Sequence, residues 1–205
     1  MENEIIKRLI YLLTSILLMG CSKNETRYHD DAEDPGLAIF SNTGNNILSC
    51  FIDGNAWRTV SRTTSGYSQG TSYEVSIEKK STNGINDTLI ITWLGYFEGS
   101  ENNEGYLGLH IAVPSNFNYR NLSGLQGQRL NIDSTNGFFA TNIRGLNSGN
   151  SKGSGSFYFH TARFDSVGRS SYSGVMSGLF DANFNSFKIT KGRFDHTVSG
   201  AQIHF

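Results

Sequence analysis

The chain has little of several residue types that usually narrow a function. Only 2 of its 205 residues are cysteine and 2 are proline, and 18 acidic residues nearly balance 17 Lys and Arg. The chain has no basic stripe, so we do not expect nucleic acid as a partner. The cysteine count excludes a disulfide framework, so the fold must depend on burial and hydrogen bonds. No segment keeps a capped apolar period of 3.6 residues, which argues against a helical domain.

The longest apolar run lies near the N-terminus. Lys7 and Arg8 precede the uncharged stretch LIYLLTSILLMG, which is too short to span a bilayer and has the order of an export signal. Its Leu-Met-Gly end, followed by Cys21, resembles a bacterial lipobox, in which cleavage follows the glycine and the thiol receives a lipid. We therefore expect residues 1–20 to be a signal peptide and Cys21 to be lipidated, rather than a buried helix with a chance cysteine.

The expected anchor divides the mature chain into two parts. Residues 21–36 are polar and acidic without apolar periodicity, so we expect a flexible tether, and residues 37–205 form a single β-domain. The expected location is the bacterial cell envelope, with the lipid in the outer membrane. The acidic patch also resembles the surface-export signals of Bacteroidetes lipoproteins. It begins at Asp30, well after Cys21, so both the periplasmic and the surface face stay open.

The composition of the domain favours an all-β fold. Gly, Ser and Asn punctuate short alternating segments, and Asp53-Gly54 between two apolar runs predicts a hairpin. Residues 88–97 are apolar on both faces, which predicts a central strand covered on both sides. We predict about nine to eleven strands and no helix longer than a turn. A two-sheet antiparallel β-sandwich is the first choice, and a β-barrel is the alternative.

Two stretches resemble a group of uncharacterised exported lipoproteins of the Bacteroidetes. FIDGNAW at Phe51–Trp57 is similar to their early V/I-D-G-x-x-W hairpin. SGLFDANF and FKITKGRFD, within Ser177–Asp195, are similar to their late I-T-x-G-x-F hairpin. The resemblance implies a small exported β-domain, and it implies neither an activity nor site residues.

The residues that could carry chemistry form no typical catalytic or metal-binding pattern. Asp53 is explained by its turn, Asp181 is expected to face solvent, and Cys50 in the apolar stretch ILSCFI is expected to be buried. Arg-Phe-Asp occurs at 163–165 and at 193–195, which we interpret as two similar strand ends with charges outward. The histidines lack zinc-site spacing. We expect no catalytic residue, no metal and no cofactor, while enzyme status stays open.

Aromatic residues make binding the stronger hypothesis. The chain has 14 Phe, 9 Tyr and 2 Trp, and rings exposed on β-folds commonly hold sugars, although Phe prefers cores. Tyr67, Tyr119 and Tyr172 lie near predicted loops and are the candidates for ligand binding. We expect a non-catalytic binding or structural module of the envelope, with a carbohydrate-binding accessory lipoprotein and then a hydrolase as alternatives. The expected partners are the membrane, through Cys21, and a glycan or an envelope protein.

Overall fold

The structure, a computed structural model, describes residues 30–59, 73–78, 86–100, 104–143, 146, 151–167, 171–199 and 203–204. These ranges contain eleven strands and one short helix, so the fold is all-β as predicted. None of their helical residues forms a segment long and apolar enough to cross a membrane. The strands are β1 Ile47–Ile52, β2 Asn55–Thr59, β3 Tyr73–Glu78, β4 Asn86–Phe97, β5 Gly105–Pro114, β6 Arg129–Ile132, β7 Gly137–Ile143, β8 Ser151–Val167, β9 Ser171–Asn183, β10 Lys188–Ser199 and β11 Ile203–His204.

Eight of the strands close into an antiparallel β-barrel. Hydrogen-bonded neighbours follow the order β4-β2-β1-β10-β9-β8-β7-β5, and β5 pairs with β4 from Asn86 to Gly95 to complete the ring. The predicted two-sheet sandwich is therefore wrong, and its alternative, the barrel, is correct. A sandwich would have two sheets with free edges, whereas β4 is paired along both of its edges. Alternation and strand spacing are the same in both architectures, which is why the sequence pattern did not separate them.

The three remaining strands extend the wall of the barrel. On one edge of β4, β2 pairs with residues 95–97 and β3 pairs with residues 88–93. Similarly, β7 and β6 pair with successive parts of β8. The short β11, which follows β10 along the chain, pairs in parallel with β3. The β1–β2 hairpin therefore occupies only part of the height of the barrel, and β11 contacts β3 beyond it.

The predicted hairpin at Asp53-Gly54 is confirmed. Ile52 pairs with Asn55, and the two turn residues have φ values of 48° and 82°. Both values lie in the left-handed region that a type I′ turn requires, and Asp and Gly are residues that tolerate it. The carboxylate of Asp53 accepts the backbone N–H of Lys188 at 3.0 Å. The turn is thereby joined to β10.

Aromatic side chains fill the interior of the barrel. The rings of Trp93, Phe157, Phe180 and Phe194 are buried, with centroid separations between 5.2 and 6.4 Å. Buried residues alternate along β9, where Gly174 and Gly178 share the inner face with Met176 and Phe180. A Cβ on Gly178 would lie 2.7 Å from the ring of Phe194, so the absence of a side chain lets that ring approach. An eight-stranded barrel is just wide enough for such filling.

The outer face of β4 is less covered than predicted. Leu89, Ile91 and Trp93 face the interior and are buried. On the other face only Ile90 is buried, at 8 % exposure, while Leu94 stays half-exposed. A closed barrel needs no second layer outside it, so apolar residues on both faces of one strand do not require burial on both sides.

One helix appears where none was predicted. It is a 3₁₀ helix at Tyr119–Leu125, and its N-cap residue Asn118 accepts the N–H of Arg120. The side chain of Asn121 in turn accepts the N–H of Asn118. These local side-chain to backbone bonds, rather than an apolar period, define the helix, so a search for periodicity does not find it.

Candidate functional site

The predicted site residues do not meet in one place. Cys21 and Tyr67 lie outside the described residues. Tyr119 begins the 3₁₀ helix, and Tyr172 pairs with Ser166 in the β8–β9 hairpin, so these two belong to different elements. Their roles in binding stay predictions.

Cys50 lies in the core of the barrel. The side chain is buried, and burial raises the pKa of its thiol well above the usual range, which keeps the sulfur protonated and unreactive. This agrees with its interpretation as a small hydrophobic residue. Within the described ranges, His, Cys, Asp and Glu form no group of three that could hold a metal ion.

Three carboxylates that a hydrolase could use, those of Asp53, Asp133 and Asp181, accept hydrogen bonds from the backbone. Asp53 accepts the N–H of Lys188, and Asp181 accepts the N–H of Lys191 at 2.9 Å. Asp133 accepts the N–H of Thr135 at 2.8 Å together with its hydroxyl, and these bonds lower the pKa of the carboxyl. Each carboxylate thereby fixes a turn or a bulge, and none of these contacts places two of them across a cleft.

A dense set of charged contacts joins residues 30–46, here called the N-terminal arm, to β10. Arg193 is only 9 % exposed. Its Nη1 donates to Asp31 and to the carbonyl oxygen of Ala38, and its Nη2 donates to Asp34 at 2.7 Å. Lys191 also donates to Asp34. Residues 30–36, which the sequence assigns to the tether, therefore lie against the barrel wall.

These contacts favour the ionised form of the two carboxyls. The pKa of Asp31 lies below its usual 3.8, first because its side chain accepts the backbone N–H of Glu33 and then because of the bond from Arg193. The pKa of Asp34 is lowered chiefly by the hydrogen bond from Lys191. Both groups are therefore ionised at neutral pH, as an ion pair requires.

A second contact captures the end of the arm. Asp195 is 1 % exposed, and its carboxylate accepts the N–H groups of Thr43, Gly44 and Asn45 at 3.2, 2.8 and 3.0 Å. The hydroxyl of Ser41 donates to the same carboxylate. Three backbone N–H groups that converge on one point form a nest for an anion. Here the nest is occupied by a side chain of the protein itself.

The two Arg-Phe-Asp sequences differ in what covers them. In the later one, Phe194 faces the interior, while Arg193 and Asp195 face outward under the arm. In the earlier one, Arg163 faces outward and is exposed. The predicted outward direction is correct for Arg163, Arg193 and Asp195, but residues 193–195 lie in the middle of β10 and not at a strand end, and the arm converts the outward charges of β10 into buried contacts.

One of the described imidazoles, that of His196, lies in the interior of the barrel. His196 is buried, and its Nε2 accepts the indole N–H of Trp93 at 2.8 Å. Its ring lies 6.1 Å from that of Phe194. Burial lowers the pKa of His196 to about 3, so the ring is neutral at pH 7. Enclosed by aromatic rings, it stabilises the core rather than meeting a substrate.

Cations and aromatic rings alternate on the outward faces of β6, β7 and β8, and β9 separates this surface from β10. We call this surface the open wall; it consists of Arg129, Phe138, Lys152, Tyr158, His160 and Arg163. The guanidinium carbon of Arg129 lies 5.1 Å from the ring centroid of Tyr158. The Nζ of Lys152 lies 4.2 Å from that of Phe138. None of the three cations forms an ion pair with a carboxylate of the described residues.

Neighbouring residues extend the open wall. His110 of β5 stacks on Phe138 with ring centroids 4.4 Å apart, and burial lowers its pKa, so it acts as a neutral ring. Leu179 of β9, directly opposite Tyr158, is 42 % exposed. Phe40 of the arm contacts His160 edge-on at 5.3 Å. The open wall therefore combines apolar surface with exposed positive charge.

This surface was not predicted from the sequence. Tyr158 and Arg163 lie in GSFYFHTARF, a segment in which polar and aromatic residues alternate with buried ones. Alternation is a signal that could have marked them as outward. The pairing of Arg129 with Tyr158 depends on the register of β6 against β8, which a single sequence does not display.

No protein-family model, curated protein or solved structure matches this chain.

Proposed function

We propose that the protein is a lipid-anchored exported module of the bacterial cell envelope that acts by binding at the outside of its barrel, without catalysis. The observation that carries this proposal is the contrast between a filled interior and the open wall. Barrels of this size bind small ligands only when their interior is left unfilled. Here stacked rings occupy that space, with Phe157 and Phe180 only 5.8 Å apart. Binding is therefore assigned to the outer surface.

The docked arm would also limit how far the barrel moves from the membrane. With Cys21 lipidated, only the chain between Cys21 and Asp30 links the lipid to the docked residues. Fully extended, that link spans about 30 Å at about 3.4 Å per residue. A lipid with long acyl chains holds the cysteine at the membrane, since each buried methylene contributes about 0.8 kcal/mol. The barrel would then act close to the membrane surface.

The experiment that tests the anchor compares the two cysteines. Cys21→Ser is expected to abolish labelling by radioactive palmitate and to release the protein from the membrane fraction. Cys50→Ser is the matched control, because this thiol is buried in the barrel and should not affect labelling. If the Cys21→Ser variant kept its lipid label, the anchor would be refuted.

A carbohydrate-binding accessory lipoprotein is the second candidate. It is favoured by the rings of Tyr158 and Phe138, which lie on the outside of the barrel beside the cations of Arg129 and Lys152. Sugar rings pack their C–H faces against aromatic side chains, and cations bind acidic substituents. The hydrolase has the weakest support, because the described carboxylates considered for it are engaged with backbone N–H groups.

A further inference from the structure

We infer that the open wall is a binding surface for an acidic polysaccharide; this rests on the proposed function as an outer-surface binding module. The two sides of the barrel differ in how their cations are used. Arg193 and Lys191 are neutralised by carboxylates of the arm. Arg129, Lys152 and Arg163 are exposed and form no such pair within the described ranges. Their charge is therefore available to an external anion.

Two of these cations are held in place by aromatic rings. Arg129 lies over Tyr158, and Lys152 lies over Phe138. Such contacts restrict long side chains while leaving their charged groups accessible to solvent. An Arg guanidinium can then bind a carboxylate through two parallel N–H bonds. The wall offers fixed positive groups instead of mobile ones.

A β-bulge keeps the third cation on the same surface. In β8, the register against β9 shifts between Phe159 and Thr161, so His160 is an extra residue. Strict alternation from the outward Tyr158 would turn Arg163 into the barrel. The extra residue reverses the alternation, and Ala162 is buried while Arg163 is exposed. Lys152, Tyr158 and Arg163 therefore lie on one outward file about 36 Å long, at about 3.3 Å per residue.

The spacing of these cations favours one class of anionic partner over another. A membrane surface is typically bound by a compact cluster of about four to eight Lys and Arg residues, whereas this wall has two separated cations on β8, Lys152 and Arg163, and a third, Arg129, on the neighbouring β6. A linear polymer with a carboxylate on its sugar units matches a line of separated cations, and its sugar faces match Tyr158 and the exposed Leu179. Asp181, which lies opposite Ser156, and Glu78, whose charge acts on His110, are acidic neighbours, and the carboxylate of Asp181 accepts the N–H of Lys191.

The test uses the full chain in detergent with polygalacturonate as the probe. Fully methyl-esterified polygalacturonate is the neutral control, and anionic phosphatidylglycerol vesicles are the membrane control. We expect binding to the acidic polymer alone, weakened by added salt. The triple variant Arg129→Gln, Lys152→Gln, Arg163→Gln should raise the Kd about tenfold or more. Lys188→Gln, an exposed cation of β10, is the matched control and should leave the Kd unchanged.

Several results would overturn the inference. One is equal affinity for the acidic and the neutral polymer, and another is an unchanged Kd in a triple variant that unfolds at the native temperature. The inference also fails if the protein binds the vesicles alone. It fails as well if the protein binds none of polygalacturonate, alginate and hyaluronate. Lipid labelling of the same preparation separates the two proposals. If the label depends on Cys21 and no polymer binds, the anchor stands and the polysaccharide inference fails. If the polymer binds but the label does not depend on Cys21, the inference stands and the anchor fails.

Discussion

Two sides of this barrel carry the same kinds of side chain and differ in what lies over them. On β10, Arg193 and Asp195 lie under the N-terminal arm and bond to its carboxylates and N–H groups. On β8, Arg163 has the same neighbours in sequence, Phe and Asp, but is exposed. An outward charge therefore stabilises the fold where a segment covers it and is available for binding where none does.

Coverage by the N-terminal arm also determines how much each charged side chain stabilises the fold. Exposed ion pairs typically contribute about 0–1 kcal/mol, because water screens them and ordering the side chains costs entropy. A buried charge that loses its partners costs much more, because it stays desolvated without compensation. Substitutions on the covered side should therefore change stability, and substitutions on the open wall should change binding.

The largest effect is expected at Asp195. Asp195→Ala removes the acceptor of three backbone N–H groups and one hydroxyl in a place that is 1 % exposed. We expect the free energy of unfolding to fall by about 3–5 kcal/mol, because four hydrogen bonds to a charged acceptor are lost together. Urea unfolding of the purified protein measures it.

Asp181→Ala is the matched control for that measurement. Asp181 is exposed and accepts one N–H, so its loss should cost about 1 kcal/mol or less. Equal losses for the two variants would show that the arm contributes nothing at Asp195, and the comparison between the two sides would fail.

The sequence allowed the strands to be predicted better than their arrangement. The hairpin at Asp53-Gly54 was predictable because only a few residue types tolerate positive φ, and the inner face of β9 because alternation has a fixed period of two. Closure into a barrel depends on the pairing of β5 with β4. The alternation of buried and exposed residues in these two strands is the same whether or not they pair. Local rules therefore gave the elements and left the architecture open.

The sites were less predictable, for a related reason. The acidic residues of the arm look like a solvated segment because their partners, Arg193 and Lys191, lie about 160 residues away in sequence. Arg129 and Tyr158 likewise meet only through the pairing of β6 with β8. Such contacts depend on which distant residues the fold brings together, and a single sequence does not display that pairing.

We expect His196, on the inner face of β10, to make the free energy of unfolding strongly dependent on pH. Its pKa of about 3 in the folded protein lies below the ordinary 6.5, so the unfolded chain takes up a proton first as pH falls. This contribution to stability is complete above about pH 6.5 and decreases toward pH 3, by up to about 1.4 kcal/mol per pH unit. His196→Gln keeps an acceptor for Trp93 and does not titrate. Urea unfolding from pH 7 to pH 4 should give a smaller slope for the variant, and an unchanged slope would contradict this assignment.

A local effect is expected at the contacts between Arg193 and the arm. The pKa values of Asp31 and Asp34 are lowered in the folded protein, so these contacts are complete above the ordinary pKa of 3.8 and are lost as pH falls through the folded values. Asp31→Asn with Asp34→Asn should open the arm already at pH 7. Hydrogen exchange of the arm amides should then accelerate about tenfold, with the rest of the barrel protected as before.

The open wall supplies the control for the arm. Lys152→Gln with Arg163→Gln removes two exposed cations that have no carboxylate partner in the described residues, so arm exchange should stay unchanged. If this variant loosened the arm as much as the aspartate variant does, general electrostatics rather than the specific contacts with Arg193 would hold the arm in place.

The smallest effect is expected at the turn that joins the β1–β2 hairpin to β10. Asp53→Asn keeps the side-chain oxygen that accepts the N–H of Lys188 and keeps a residue that tolerates the φ of 48°, so stability should change by less than about 0.5 kcal/mol. Gly54→Val is the sensitive comparison. No atom lies within 4 Å of a Cβ at Gly54, so its cost comes from the φ of 82° alone, and we expect a loss of more than about 1 kcal/mol. Urea unfolding distinguishes these outcomes, and loss of a ligand by the folded Asp53→Asn variant would instead identify Asp53 as a binding residue.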